Sequence, residues 1–424
     1  MIRGTLVAAL CLLAGPTLAA SGLWRPAELP GIEEALRSAG IAVDPNELAD
    51  LQRYPMNAVA DLGGGCAAAL VSPLGLMLTS WQCARSTIEF NSTAERNLLA
   101  DGFLAGTLGD ELPAAPGLAV LLTQSAQDVT AQVLARPAAG GAGSVAADAD
   151  PRRIRRLEAA CAAAPGFRCR VHPVQGGARY ILVKQIEFRD VRLAYAPAAA
   201  VVDVSSASDN RDLPSQAGGF ALLRVYAGPH GRPAERSELN VPLRPVAQLK
   251  LQPAGLKVGD FAMAASYPDS SPHAVDDTSL WIGFGNVRAA GDGDAAAAFV
   301  HLARLAATPG EAAPDAGAAR LRLATNSGDF GPYALAGSIP VGFLADLDAA
   351  DGSSGAPVLN ARAQLVGLLA GKRTANALGR LSDPARARSM ALDIRFMLWV
   401  MDAVDGADRL LHEMGVEPAL AHAR

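Results

Sequence analysis

Aromatic side chains make up only 5% of this sequence, and neither sign of charge dominates: 37 Lys and Arg stand against 42 Asp and Glu, a net charge of −5. A chain so balanced offers no general attraction to nucleic acid or to an anionic membrane. No apolar run is long enough to span a bilayer comfortably. Neither Cys-x-x-Cys nor His-Glu-x-x-His occurs, so no metal and no cofactor is expected. No internal repeat suggests a solenoid or propeller. What is plentiful is Gly (42) and Pro (28), in a chain of 424 residues of which 50% are hydrophobic. That is enough apolar material for one large domain or two to three ordinary ones, with the texture of strands and turns.

Residues 1–20 read as an export signal: Arg3 supplies the positive start, Leu6 to Ala14 the apolar stretch, and Thr17-Leu18-Ala19-Ala20 the small-residue exit. The apolar stretch is too short for a membrane anchor, so no stable membrane insertion is expected after cleavage. Cys11 lies inside it and lacks the small residues before it that a lipoprotein site requires. Four cysteines then remain, Cys66, Cys83, Cys161 and Cys169. An even number in an exported chain argues for two disulfides. Three connectivities exist, and the nearest-neighbour one, Cys66–Cys83 with Cys161–Cys169, is adopted here. Each bridge would contribute ~2–3 kcal/mol.

Along the chain, Trp24 to Tyr54 reads as helical, with Ile32, Ala35, Leu36 and Ala39 on one face and Gly40 as a stop. From Ala58 short apolar runs alternate with Gly and Pro. Strands are expected at 67–71, 76–78, 120–122, 180–188, 191–194 and 220–226. Residues 138–149 read as an Ala/Gly-rich loop and 152–164 as a short helix. A second set of strands is expected at 246–251, 260–265, 280–284, 339–343 and 365–369. Between them, 291–318 is a low-complexity stretch with a weak helical core. Ile394, Leu398, Met401 and Val404 recur at helical spacing in a closing amphipathic helix that Gly406 interrupts.

The most informative run is Asp351-Gly352-Ser353-Ser354-Gly355-Ala356-Pro357-Val358-Leu359-Asn360. A Gly-x-Ser-Gly-x-Pro turn leading into an apolar strand presents the nucleophile in chymotrypsin-like proteases. Gly352 and Ser354 can aim two backbone N–H groups at one point, an oxyanion hole. Gly355 relieves crowding beside the serine, and Pro357 fixes φ at the strand entrance.

Longer runs carry a resemblance to a family. They include Leu23-Trp24-Arg25-Pro26, Gly63-Gly64-Gly65-Cys66, Val71 to Leu76, Phe90 to Leu99, Asp101-Gly102-Phe103, Asp190 to Leu193, Phe220 to Tyr226, Ser353 to Asn360, and Asp393 to Asp402. Together they span nearly all of the chain after residue 20. In them the sequence resembles the bacterial chymotrypsin-clan dipeptidyl peptidases, secreted serine exopeptidases. The resemblance implies a mainly β, chymotrypsin-like double β-barrel with short helices and a C-terminal helix, and an active site between the barrels. On that basis residues 21–57 form an N-terminal helical segment, 58–243 the first barrel, 244–390 the second barrel with the nucleophile turn, and 391–424 the closing helix and tail. The family carries a helical cap inserted in its second half. Here Ala265-Ser266-Tyr267-Pro268 runs almost directly into Asp277-Thr278-Ser279-Leu280, so the cap is expected to be deleted near Asp269–Val275.

The resemblance also places the catalytic positions. The family's base histidine immediately precedes a cysteine in a Thr-Asn-His-His-Cys run, and the matching residues here are Thr79-Ser80-Trp81-Gln82-Cys83. Gln82 holds the base position, and a carboxamide cannot take a proton from serine near neutral pH. The orienting aspartate precedes the Phe-Ala-Leu-Leu-Arg strand, where Gly219 stands. Ser354 is retained, but a hydroxyl without a base is a weak nucleophile. Loss of a triad costs on the order of 10⁶ in turnover in subtilisin, and an intact oxyanion hole leaves ~10³–10⁴ over water. Asn210 matches the family's ligand for the substrate amine, but Arg211 replaces its tryptophan partner and would repel an ammonium group. The acidic residue of the family's Phe-Asp-Gly run is absent from Ala370-Gly371-Lys372. None of the six histidines (His172, His230, His273, His301, His412, His422) is expected to replace the base; His273 lies beside the deletion. The Asn91-Ser92-Thr93 sequon belongs to a family motif and is read as structural.

The expectation is therefore a secreted pseudo-peptidase of periplasm or cell surface, with a binding or regulatory role toward a peptide or a cell-envelope protein. The alternative is an active serine dipeptidyl peptidase, or another serine hydrolase, using Ser354 with a non-standard base, for which Lys372 is nearest in sequence. A remnant without function is opposed by the intact leader, the paired cysteines and the coherent closing helix. The oligomeric state is not set by the sequence.

Overall fold

The structure is a computed structural model that describes residues 22–134, 149–174, 177–203, 218–267, 280–288, 298–302, 316–349, 353–373 and 388–422. It is mainly β. The first strand, β1 (Leu23–Trp24), is followed by eleven strands that make one antiparallel sheet: β2 (Val59–Gly63), β3 (Cys66–Leu70), β4 (Leu76–Ser80), β5 (Phe103–Leu104), β6 (Leu112–Pro113), β7 (Val120–Asp128), β8 (Phe167–Val174), β9 (Arg179–Phe188), β10 (Asp190–Ala196), β11 (Phe220–Ala227) and β12 (Val241–Pro242). They run in the order β5-β10-β11-β4-β3-β2-β7-β9-β8, with β12 on β11 and β6 on β10. The second sheet contains β13 (Phe261–Ser266), β14 (Trp281–Asn286), β15 (Phe299–His301), β16 (Pro340–Ala345), β17 (Pro357–Asn360), β18 (Leu365–Arg373) and β19 (Arg388–Asp393). Its order is β1-β14-β13-β17-β18-β19-β16-β15, so the N-terminal strand crosses to the later sheet, Leu23 pairing with Gly283.

The central strands are buried on both faces: β4, β11, β13 and β16 are buried at every residue. This explains why they read as apolar runs rather than as alternating patterns. One continuous apolar core takes residues from both sheets and from the closing helix Ile394–Trp399. That helix is buried throughout and continues as a π-helical turn, Val400–Val404, ahead of Gly406. A small satellite cluster of Val129, Val133 and Tyr180 sits under the helix Pro151–Cys161. The disulfides are Cys66–Cys83 and Cys161–Cys169.

Several local expectations are corrected. The span from Trp24 to Tyr54 is not one helix. It is β1, a 3-10 turn (Pro26–Ile32), a helix (Glu33–Ala39) closed by Gly40 at φ +107°, and a short helix (Pro45–Ala49) capped by Asp44. Pro30 and Pro45 lack the N–H that a continuous helix needs. Residues 246–250 form no strand: Val246 is exposed, and Leu249 N–H donates to the Leu70 carbonyl instead of to a ladder. Of the stretch 291–318, residues 299–301 form β15 and 316–318 open a helix, Ala316–Ser327; the remainder lies almost wholly outside the described residues. Strand β8 carries the period of two in Phe167, Cys169 and Val171 alternating with Arg168, Arg170 and His172, a signal that the sequence reading passed over.

A largely buried ion network ties the C-terminal helix Asp408–Glu413 to the first sheet. Arg224 of β11 donates to Glu111 (2.8 Å) and, through both terminal nitrogens, to Glu413 (2.6 and 2.8 Å). Ser72 donates to Glu413 at 2.6 Å and Tyr226 to Glu111 at 3.0 Å. Burial holds the Glu111 carboxyl above its usual range, and Arg224 opposes that rise. Removing the cation would leave two carboxylates in a dry setting. Arg224→Met is therefore expected to lose ~3–5 kcal/mol in chemical denaturation, and a loss under ~1 kcal/mol would show that the pair is dispensable.

Candidate active site

The two sheets meet at Ser354. Cys66 and Ser354 form a parallel bridge, and Ala67 N–H donates to the Ser354 carbonyl at 3.0 Å. The nucleophile turn is thus hydrogen-bonded to the start of β3. Gly355 follows at φ +74°, and a Cβ there would lie 2.5 Å from Thr79 Oγ1, 2.6 Å from the Ala67 carbonyl and 2.7 Å from Ser80 N. Only glycine tolerates both that φ and that approach. Pro357 opens β17, which pairs with β13 and β18.

On the other side of the turn, β4 ends at Ser80 and the helix Trp81–Phe90 begins. Ser80 caps it, Oγ accepting from Cys83 N–H at 3.3 Å. Cys83, in the first helical turn, is bonded to Cys66, so the disulfide holds this helix against the Ser354 bridge. Trp81 N–H donates to the Gly219 carbonyl at 3.2 Å, and Ser80 pairs with Phe220. The positions of Gln82, Gly219 and Ser354 therefore converge through Ser80 and Trp81, and Gln82 is exposed.

The hydroxyl of Ser354 lies 2.7 Å from that of Ser80. Among the described residues this is its hydrogen-bonding side chain, and no histidine, lysine or carboxylate bonds to it there. Two neutral hydroxyls can share a proton in a hydrogen bond, but neither is a base near pH 7. Ser80 was missed in the sequence; its only signal was a capping residue before the Trp81 helix. Gly352, Asn210, Arg211 and His273 lie outside the described residues. Lys372 is paired through its backbone with Ser389 in β18. His172 and His301 sit in β8 and β15, and His412 and His422 bond within the tail region.

A second buried polar chain was also missed. Asp61 of β2 pairs with Ala67, the residue that donates to Ser354. Its carboxylate accepts from Gly63 N–H at 2.7 Å and lies 3.5 Å from Gln185 Nε2, which donates at 3.3 Å to Thr123 Oγ1. Thr123 contacts the Tyr267 hydroxyl at 3.1 Å, and Tyr267 follows β13, so the chain crosses from the first sheet to the second. Burial pushes the Asp61 carboxyl above its ordinary value and the Tyr267 hydroxyl above its own. Elsewhere Asp402, Asp408 and His422 lie close enough to hold an ion. Asp402 already accepts from Tyr333 O–H (2.9 Å) and Ala419 N–H (2.8 Å), so this group serves as a clasp for the tail.

A family model described as peptidase S46 matches residues 19–280 and 269–416. The two stretches meet at 269–280, the region where the cap deletion was expected. The Asp/Glu-specific dipeptidyl-peptidase of Shewanella putrefaciens is 37% identical over 278 residues, 64% of this chain and 36% of the relative. That of Porphyromonas endodontalis is 32% identical, over 61% of this chain and 37% of the relative. Dipeptidyl-peptidase 7 of Porphyromonas gingivalis is 32% identical, over 64% and 38%. The matched part of the chain thus spans well under half the length of these relatives. Crystal structures of Porphyromonas endodontalis DPP11 share the fold: the complex with substrate has a TM-score of 0.79 at 19% identity, covering 94% of this chain and 100% of that one. The complex with the dipeptide Arg-Glu has a TM-score of 0.78. The fold is chymotrypsin-like.

Gly355→Ala is expected to lose ~2–4 kcal/mol of stability in thermal or chemical unfolding, since two of the three clashes are with backbone atoms and the φ is positive; a change below ~0.5 kcal/mol would refute the close approach. Asp61 gives a pH test. Its folded carboxyl titrates above the unfolded one, so its contribution is fully present below about pH 4 and is lost as pH rises through the folded value. Asp61→Asn is therefore expected to gain stability over the parent as pH rises from 4 to neutrality. A gap that is constant, or that widens toward acid, would contradict this.

Proposed function

Because the chain belongs to the peptidase S46 family, we propose that it is an exported, catalytically impaired relative of the dipeptidyl-peptidases that holds peptide rather than cutting it. One observation carries the reading: Ser354 Oγ is 2.7 Å from the neutral Ser80 hydroxyl, while a glutamine and a glycine occupy positions 82 and 219. Nothing in that set removes the serine proton or steadies a cation formed on doing so. The turn itself is well built, with a bridge, a disulfide and a glycine that admits no side chain. A well-built turn without a base suits recognition. Porphyromonas endodontalis DPP11 has been solved with the dipeptides Arg-Glu and Arg-Asp, and on this reading a peptide occupies the corresponding cleft here. Without the inserted cap the cleft would admit longer chains. The leader at residues 1–20 supports export to periplasm or cell surface, where a peptide or an envelope protein would be the partner.

The test is reaction of the purified protein with a fluorophosphonate serine probe beside a Ser354→Ala control, with hydrolysis of a mixed dipeptide–fluorophore panel on the same samples. Labelling and turnover are expected to match the control. Labelling and turnover that vanish in Ser354→Ala would sink the reading and direct attention to a replacement base. The double substitution Gln82→His with Gly219→Asp is expected to raise turnover by ~10³ or more, since it returns a base and its orienting carboxylate beside an intact turn.

A further inference from the structure

The chain's charge of −5 conceals a strongly basic module. Residues 150–172 hold six arginines and two acidic residues. The helix Pro151–Cys161 buries none of its residues, and its half-buried Ile154 and Leu157 rest on the satellite cluster. That fixes which face is turned outward. Arg152, Arg155 and Arg156 are all exposed and stand at i, i+3 and i+4, one face of the helix. Arg168 and Arg170 are exposed on β8, the terminal strand of its sheet. The Cys161–Cys169 disulfide joins helix to strand, so the cations are presented on a stiff unit. Both acids are engaged locally. Asp150 caps the helix and lies 3.5 Å from Arg153, and Glu158 accepts from Val171 N–H and reaches Arg170 only at 3.9 Å. Among the described residues, Arg152, Arg155 and Arg156 have no carboxylate partner, while Arg168, on the side of β8 opposite Val171, acts electrostatically on Asp61.

We propose that this face docks the protein on an anionic lipid bilayer through its phosphate headgroups. The surroundings favour that partner over other polyanions. The exposed residues between the arginines are alanine and proline, which offer nothing to read a base edge. Phe167, the aromatic ring of the unit, is covered by Lys184 Nζ at 4.1 Å and is not free to stack on a nucleotide. The outer side of a single helix beside a strand edge is convex and provides no groove for an extended acidic peptide. The helix keeps its apolar side on its own core, so attachment is electrostatic and reversible rather than by insertion. The inference is independent of any chemistry at Ser354.

The test is co-sedimentation of the oxidised chain with vesicles of phosphatidylcholine containing phosphatidylglycerol, against vesicles of phosphatidylcholine alone. The triple variant keeps residues 1–20 unchanged, so any contribution they make cancels in the comparison of parent with variant, which is the deciding one. Binding is expected with the anionic vesicles only, and is expected to fall steeply as salt rises from about 0.05 M to about 0.5 M. The triple variant R152Q/R155Q/R156Q, whose helix and melting behaviour should be unchanged, is expected to bind about two orders of magnitude more weakly. Absence of binding to the anionic vesicles, or equal binding by the triple variant, would overturn the proposal. Tighter binding to a mixed-sequence oligonucleotide than to the vesicles at the same salt would also overturn it, in favour of nucleic acid.

Discussion

The hydrogen bond from Ala67 N–H to the Ser354 carbonyl is the contact on which the rest of the site depends. It brings the turn that leads into β17, in one sheet, onto the first residues of β3, in the other. The Cys66–Cys83 disulfide repeats the connection one residue away and extends it to the Trp81 helix. With those constraints in place, Gly355 is forced against Thr79, Ala67 and Ser80, and no side chain can be accommodated. The Ser80 hydroxyl then falls beside Ser354 because Ser80 must stand where β4 ends and the helix begins. The approach of Ser80, Gly219 and Ser354 to one another is thus set by backbone contacts.

Buried charge is handled in two ways. Around Arg224 the chain places a cation between Glu111 and Glu413, so each carboxylate gains a partner as it loses water. At Asp61 the compensation comes from an N–H, an amide and the more distant charge of Arg168, with a tyrosine at the far end of the chain, and burial still raises the carboxyl above its ordinary value. Desolvation outweighs the compensation at both carboxyls: Glu111 stays above its ordinary value even beside Arg224, and Asp61 stays above its own. The first arrangement fastens the C-terminal helix to the first sheet, and the second links that sheet to the strand before the 268–279 junction.

Much of the fold was legible in the sequence. Apolar runs marked the buried strands, the Ile394 to Val404 spacing marked the closing helix, and cysteines close in sequence marked both bridges. The reading erred where two signals competed. Prolines and Gly40 cut the N-terminal segment that its apolar spacing had made continuous. In β8 the alternation of apolar residues with arginines was itself the mark of a strand, and those arginines vanished into a whole-chain charge of −5.

The sequence by itself determined which side chains are available around the turn: a serine framed by glycines, a glutamine at position 82 and a glycine at position 219. These are properties of side-chain type, and no packing turns a carboxamide into a base. Only the tertiary structure decided which group faces the serine. Ser80 and Ser354 are 274 residues apart, and their contact exists because two sheets dock along one bridge. The depth of Asp61, the pairing of Arg224 and the outward face of the Pro151 helix were decided in the same way. Burial and hydrogen-bond geometry depend on neighbours that are remote along the chain, and local patterns carry no record of them.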